Sequence, residues 1–171
     1  MTRPTLYLFM GYPGAGKTTV ARIIREATDG VHLWADFERH VLFDEVTHSR
    51  EESRVLYDHL NHTADDLLAQ GRCVIYDTNF NFRADRDKLR AIAARHGANT
   101  VVIWMTTDRE LARKRATEES TDKDTRVWGN MELTDFNRLS DHLQEPDSDE
   151  QVIQIDGAHI SESAIRQKLG I

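Results

Sequence analysis

The sequence predicts an α/β domain built on a five-stranded, mainly parallel sheet with helices on both faces. Three observations predict it. Short apolar, β-rich runs recur five times along the 171 residues, segments of helical periodicity separate them, and the runs are so uniformly apolar that they suit strands covered on both sides.

The first run, Thr5 to Met10, leads directly into a glycine-rich stretch, GYPGAGKT, at residues 11 to 18. The following TVARIIREA reads as a helix with Val20, Ile23 and Ile24 on its inner side. Val31 to Trp34 is the second strand, followed by a short helix over ADFERHVLF for which Asp36 is a candidate N-cap. Leu56, Leu60, Ala64, Leu67 and Leu68 share one face of the third helix, which Gly71 stops. Cys73 to Tyr76 is the third strand, and Arg83 and Arg86 on the next helix are expected to face solvent. Thr100 to Met105 is the fourth strand, followed by the helical RELARKRATEE, residues 109 to 119. Ala116 to Asn130 lacks a sustained apolar face and is rich in charge, so a lid is expected at about 116–130. EPDSDE, residues 145 to 150, reads as the turn before the last strand, Val152 to Ile155. Ile160, Ala164, Ile165 and Leu169 then align on a final helix. This order predicts one doubly wound domain over residues 1–171 with right-handed crossovers.

Composition narrows the function classes. With 39% hydrophobic and 30% charged residues, and no apolar run near the ~18 residues that cross a bilayer, a soluble cytoplasmic protein without a membrane partner is expected. The apolar start leads into the glycine stretch instead of a cleavage site. Cys73, the only cysteine, permits no internal disulfide or thiolate cluster and reads as a small core residue. The scattered histidines offer no convincing transition-metal spacing. A net charge of −7 weighs against a general nucleic-acid binder but leaves room for a local basic groove.

Gly11, Gly16, Lys17 and Thr18 satisfy G-x-x-x-x-G-K-[ST] between a strand and a helix. Glycines let the backbone of Gly14, Ala15 and Gly16 turn its N–H groups toward phosphate oxygens, and the helix start at Lys17, Thr18 and Thr19 adds its positive end. Lys17 is expected on the β- and γ-phosphates and the Thr18 hydroxyl on magnesium. A P-loop NTPase fold and a nucleotide triphosphate with Mg2+ follow. No Asn-Lys-x-Asp guanine reader appears, and the chain is short for a motor ATPase, so a small kinase remains, with ATP as donor and GTP as the alternative.

Asp36 stands at the carboxyl end of the second strand, where open α/β sheets gather ligands. There it is placed to take the proton of an acceptor hydroxyl, while Arg39, three residues on, holds an acceptor anion or the moving phosphoryl group. Asp77 ends the third strand and is the expected second magnesium ligand, with Thr78 and Asn79 opening toward the same crevice. Phosphoryl transfer also needs a cation over the transferring group, and one of Arg113, Arg115 and Arg126 is expected to supply it.

GYPGAGKTT, DFER, IYDTNFN and RELARKR, in this order, resemble the small P-loop kinases of the zeta-toxin and polynucleotide-kinase type, often labelled AAA-domain predicted kinases. The resemblance spans nearly the whole chain, and Asp36-x-x-Arg39 with DTNFN is especially similar to polynucleotide 5′-hydroxyl kinases. It implies Asp36 as general base, Arg39 on the acceptor phosphate, and Lys17 and Thr18 on the donor. It further implies that the segment IQIDGAH, which contains Gly157, lies against adenine. The lid departs from that pattern, because Thr117 follows Arg113 by four positions where a second arginine is expected. Relatives that phosphorylate antibiotics, sugars and nucleosides share Asp-x-x-Arg, so the acceptor stays open between a 5′-hydroxyl nucleic-acid end and a small molecule. His40, Phe43 and Trp128 are further candidates to line its pocket. The rivals are a toxin-type kinase acting on a sugar nucleotide and a non-catalytic ATP-binding module.

Overall fold

The computed structural model describes residues 3–118 and 130–171. In chain order these are β1 (Thr5–Met10), α1 (Lys17–Thr28), β2 (Val31–Trp34), α2 (Ala35–Leu42), α3 (Arg50–Ala69), β3 (Val74–Asp77), α4 (Arg83–Arg95), β4 (Asn99–Met105), α5 (Arg109–Thr117), α6 (Leu133–Ser140), β5 (Val152–Ile155) and α7 (Glu162–Leu169). The strands pair only in parallel, in the order β2-β3-β1-β4-β5. The sheet expected to be mainly parallel is therefore wholly so.

Alternation along the strands divides the core into two layers. Tyr7, Phe9, Ile75 and Ile103 face one side, against Val20, Ala21 and Ile24 of α1 and Ile165 of α7. Leu6, Leu8, Val74 and Tyr76 face the other, against Leu56, Leu60, Ala64 and Leu68 of α3 and Leu89, Ile92 and Ala93 of α4. Each leucine removed from water in this way contributes about 1.5–3 kcal/mol. Cys73, expected in the core, is only half-buried, just ahead of β3, and its sulfur accepts a hydrogen bond from the Thr5 N–H at 3.4 Å.

Two expectations need correction. Arg86 does not face solvent: its side chain is fully buried and makes a two-pronged pair with Glu150, Nε to Oε1 at 2.7 Å and Nη2 to Oε2 at 3.1 Å, while Nη1 donates to the Phe80 carbonyl. The cause is the acidic turn before β5, which lies over the first turns of α4, where Arg83 pairs with Asp87, Asp147 and Asp149 and Arg90 with Asp87 and Asp149. The second concerns the start of the lid. Ala116 and Thr117 belong to α5, and Ala116 is packed in the core. The Met131 N–H donates to the Ala116 carbonyl at 2.9 Å, so the chain re-enters beside the point where α5 ends. The remaining lid positions 119–129, with Arg126 and Trp128, lie outside the described residues. α6 was not anticipated, although fully buried Phe136 anchors it.

Candidate active site

The parallel sheet brings the carboxyl ends of β1, β2 and β3 together, and every expected site residue up to Asp77 follows from one of those ends. β2 and β3 are in register with Trp34 opposite Asp77, which sets Asp36, two residues past β2, beside the last residue of β3. α1 begins at Lys17 with Gly16 as N-cap at φ 100°, a left-handed conformation that favours glycine. No side chain caps this helix and no acidic residue occupies its first turn, so its amino-terminal N–H groups are presented to an anion.

Lys17 turns back onto the loop, its ammonium donating to the carbonyls of Gly11 at 3.1 Å and Tyr12 at 2.8 Å. Burial brings its pKa down to about 8, against the opposing pull of Asp77 and Asp36. The Asp36 carboxyl is raised above its ordinary value. Crowding in the crevice withdraws water from it and Asp77 adds negative charge, while Lys17, Arg39 and His48 pull the other way. The residue still keeps over a third of its surface open.

Asp77 is 3% exposed, and its Oδ2 lies 3.1 Å from His32 Nε2. The Asp77 carboxylate and the Thr18 hydroxyl are hard oxygen donors, the kind magnesium takes when it is bound through one or two protein oxygens, phosphates and water. A carboxylate buried this deeply, with the Lys17 ammonium in its field and an imidazole as its hydrogen-bonded partner, fits that cation.

Arg39 departs from expectation. It is 6% exposed, and its guanidinium is closed onto Glu52 Oε1 at 2.5 Å, with Ser53 Oγ at 3.5 Å. The cause is the first turn of α3, where Glu52 also accepts from the Thr47 N–H and hydroxyl and from the His48 N–H. Its surroundings withdraw water from Glu52, yet the hydrogen bonds from Thr47 and Arg39 bring its pKa to about 2. In this structure Arg39 braces α2 against α3 and is not an open cation awaiting a phosphate. Of the pocket candidates, His40 lies 2.9 Å through Nδ1 from the carbonyl of Asp36, and Phe43 packs on the core beneath.

The arginines of α5 separate. Arg113 pairs with Glu110 and Glu118 on the outer surface, whereas Arg115 donates from Nη1 to the Gly157 carbonyl at 2.9 Å. Gly157 lies directly against the glycine loop: a Cβ there would run into the Ala15 carbonyl and Thr107 Oγ1.

Sequence reasoning missed four residues. His32 is the partner of Asp77. Tyr57 Oη is 3.0 Å from Thr78 Oγ1 and lies in the field of Asp36. Asn81, 2% exposed, accepts from the Gly11 N–H through Oδ1 at 2.9 Å. Thr107 joins Ala15 to Gly157. A row of stacked rings also runs beside Asp36, with His32 and Phe37 each parallel to Trp34 at 6.0 and 5.9 Å and the Arg22 guanidinium 5.3 Å from the Trp34 ring centre.

Comparisons with known proteins bear on the family and the fold. The sequence matches the family model described as an AAA domain, AAA_33, over residues 6–136. No curated protein matches it. Among solved structures, a kinase candidate from Chloroflexus aurantiacus superposes with a TM-score of 0.74 at 19% identity, covering 99% of this chain and 96% of that one. A sugar kinase from Janibacter sp. gives 0.68 at 18% identity, covering 99% and 94%. The APS kinase of Mycobacterium tuberculosis, solved with AMPPNP and APS, gives 0.64 at 19% identity, covering 99% and 96%. At these identities the likeness is one of fold. With the glycine loop seated between β1 and α1, and the family model spanning both carboxylate-bearing strand ends, the chain belongs to the AAA domain family and has the fold of the P-loop kinases.

Proposed function

We propose that the protein is an ATP- and magnesium-dependent kinase that moves the γ-phosphoryl group to a hydroxyl of a small molecule. The observation that carries the reading is the convergence of Lys17, Asp36 and Asp77, close enough for both carboxylates to act on the Lys17 ammonium, at the uncapped start of α1. Lys17 and the N–H groups of Gly14 and of Gly16 to Thr19 hold the donor phosphates, the Ala15 N–H being turned to the Tyr12 carbonyl at 3.1 Å. Thr18 and Asp77 would hold the magnesium ion that accompanies the nucleotide, and its charge would offset that of the phosphate oxygens. Asp36 accepts the acceptor's hydroxyl proton as the new O–P bond forms and the bond from the γ-phosphorus to the β–γ bridging oxygen breaks, releasing ADP. Its raised pKa makes it a stronger base than an ordinary aspartate. Arg115, tied to Gly157, is the described arginine on the donor side. Arg126, in the lid segment outside the described residues, is proposed as a further cation over the transferring group.

The small-molecule acceptor is supported by charge. From Asp36 to Arg54, the segment that flanks the acceptor side, six carboxylates (Asp36, Glu38, Asp44, Glu45, Glu51 and Glu52) oppose three arginines (Arg39, Arg50 and Arg54), and Arg39 is already paired. A nucleic-acid strand requires the reverse balance. The test is transfer of labelled γ-phosphate from ATP with magnesium to a panel of sugars, nucleosides and aminoglycosides beside a 5′-hydroxyl oligonucleotide. Labelling within the panel is expected, with Asp36→Asn slowing turnover by about 10²–10⁴-fold while AMPPNP still binds. Labelling of the oligonucleotide alone would transfer the assignment to polynucleotide kinases, and no labelling would leave a nucleotide-binding module.

A further inference from the structure

Thr107 lies two residues past β4 and is 2% exposed. Its hydroxyl donates to the Ala15 carbonyl at 2.8 Å and accepts from the Gly157 N–H at 3.1 Å. One buried oxygen therefore joins the glycine loop to the turn after β5, and the Gly157 carbonyl in turn receives Arg115 of α5. At the other end of the loop the Asn81 amide accepts from the Gly11 N–H and donates to the Gly11 carbonyl at 3.4 Å. The loop is thus held at both ends by side chains from outside it, and only Thr107 also reaches the turn that contains Gly157.

We infer that Thr107 is a positioning residue for the donor nucleotide, fixing the spacing between the phosphate cradle and the turn after β5 before ATP arrives. The inference rests on reading the glycine loop as the donor site. Its physical basis is preorganisation. A loop already held in its binding shape gives up little conformational freedom when ligand enters, and a hydroxyl that serves two buried backbone groups cannot be removed without leaving both unpaired. No other described hydrogen bond directly joins Ala15 to Gly157, so without the hydroxyl the two segments lose their shared partner.

The test is calorimetric binding of AMPPNP with magnesium to the full chain and to Thr107→Val, which keeps the shape and removes the hydroxyl, and Thr107→Ser, which keeps the hydroxyl. The Kd is expected to weaken about tenfold in Thr107→Val with stoichiometry unchanged, and to stay within about twofold in Thr107→Ser. In turnover the KM for ATP should rise by more than kcat falls. A purely structural role would lower the bound stoichiometry or the Tm and leave the Kd of the folded fraction alone, which would overturn the inference, as would a Thr107→Val Kd within twofold of wild type. Should the valine variant fail to fold, Thr107→Ala against Thr107→Ser asks the same question with the same expected order. If the unaltered chain binds no AMPPNP, the donor-site reading falls and the inference with it. Normal binding by wild type and valine variant alike removes only the inference.

Discussion

Nucleotide binding is expected to take up a proton at Lys17, by an amount that the site sets. Without nucleotide the ammonium is folded onto the Gly11 and Tyr12 carbonyls, and burial brings its pKa to about 8. A triphosphate in the loop adds several negative charges around it and returns the pKa toward its ordinary 10.5. Between those limits, binding takes up about 0.1 proton at pH 7, about 0.5 at pH 8 and about 0.9 at pH 9. Affinity should fall about tenfold from pH 7 to pH 9, since binding must then restore the missing proton. The sign for the free protein is opposite. A depressed lysine pKa means that the unfolded chain binds more protons, so burial of this charge costs stability below pH 8, and stability rises with pH from about 8 to 10.5 as the ammonium discharges. Titrations of AMPPNP in two buffers of different protonation enthalpy read the uptake directly. Lys17→Arg, which stays charged throughout, should abolish it. Equal uptake at pH 7 and pH 9, or uptake that survives in Lys17→Arg, would refute the reasoning.

Arg86→Met strands the fully buried Glu150 with only the Asp147 N–H and Arg83 close by, which should cost about 3–5 kcal/mol. At about 2–4 °C per kcal/mol in a chain of this size, thermal unfolding should move down by about 6–20 °C. Replacing Glu150 by Leu in the same chain should recover part of that. Glu52→Gln should destabilise the protein at pH 7. Because the wild-type carboxyl sits at about 2, below its ordinary 4.5, its contribution is complete above pH 4.5 and is lost as pH falls toward 2, so the two urea midpoints should converge over that window. Gly157→Ala pushes a methyl into the Ala15 carbonyl, and overpacking of about 1–3 kcal/mol should appear as weaker AMPPNP affinity in calorimetry.

The glycine loop between β1 and α1 was legible because it is local. Gly11 to Thr18 fixes loop, helix start and lysine within eight residues, and β-rich runs located all five strands to within a residue or two. What was not legible depends on pairing across the chain. Arg86 and Glu150 are 64 positions apart, and only the matching of an acidic turn to the arginine face 83, 86, 90 of α4 hinted at their contact. Arg39 looks free in sequence because Glu52 belongs to another helix, and Thr107 looks like an ordinary post-strand threonine until β4 and β5 are placed side by side. α6 was missed because it follows the charged segment without a capping side chain, and its helical character is carried by the burial of Phe136.

This division has a mechanistic consequence. On the proposed reading, donor recognition rests on backbone N–H groups and Lys17, and Asn81 and Thr107 hold the loop from outside. On the same reading the acceptor side is assembled from side chains, Asp36 and Phe37 on α2 and Tyr57 on α3, and the Arg39–Glu52 pair joins those two helices. Within one fold the first half can stay constant while the second is rebuilt. The stacked His32, Trp34 and Phe37 rings, which lead from the Asp77 partner to the residue beside Asp36, are therefore where acceptor selectivity should be sought. Phe37 is 49% exposed and its ring is separated from Asp77 by the Trp34 and His32 rings, so Phe37→Ala should raise the acceptor KM by more than the ATP KM, and a larger rise in the ATP KM would refute this.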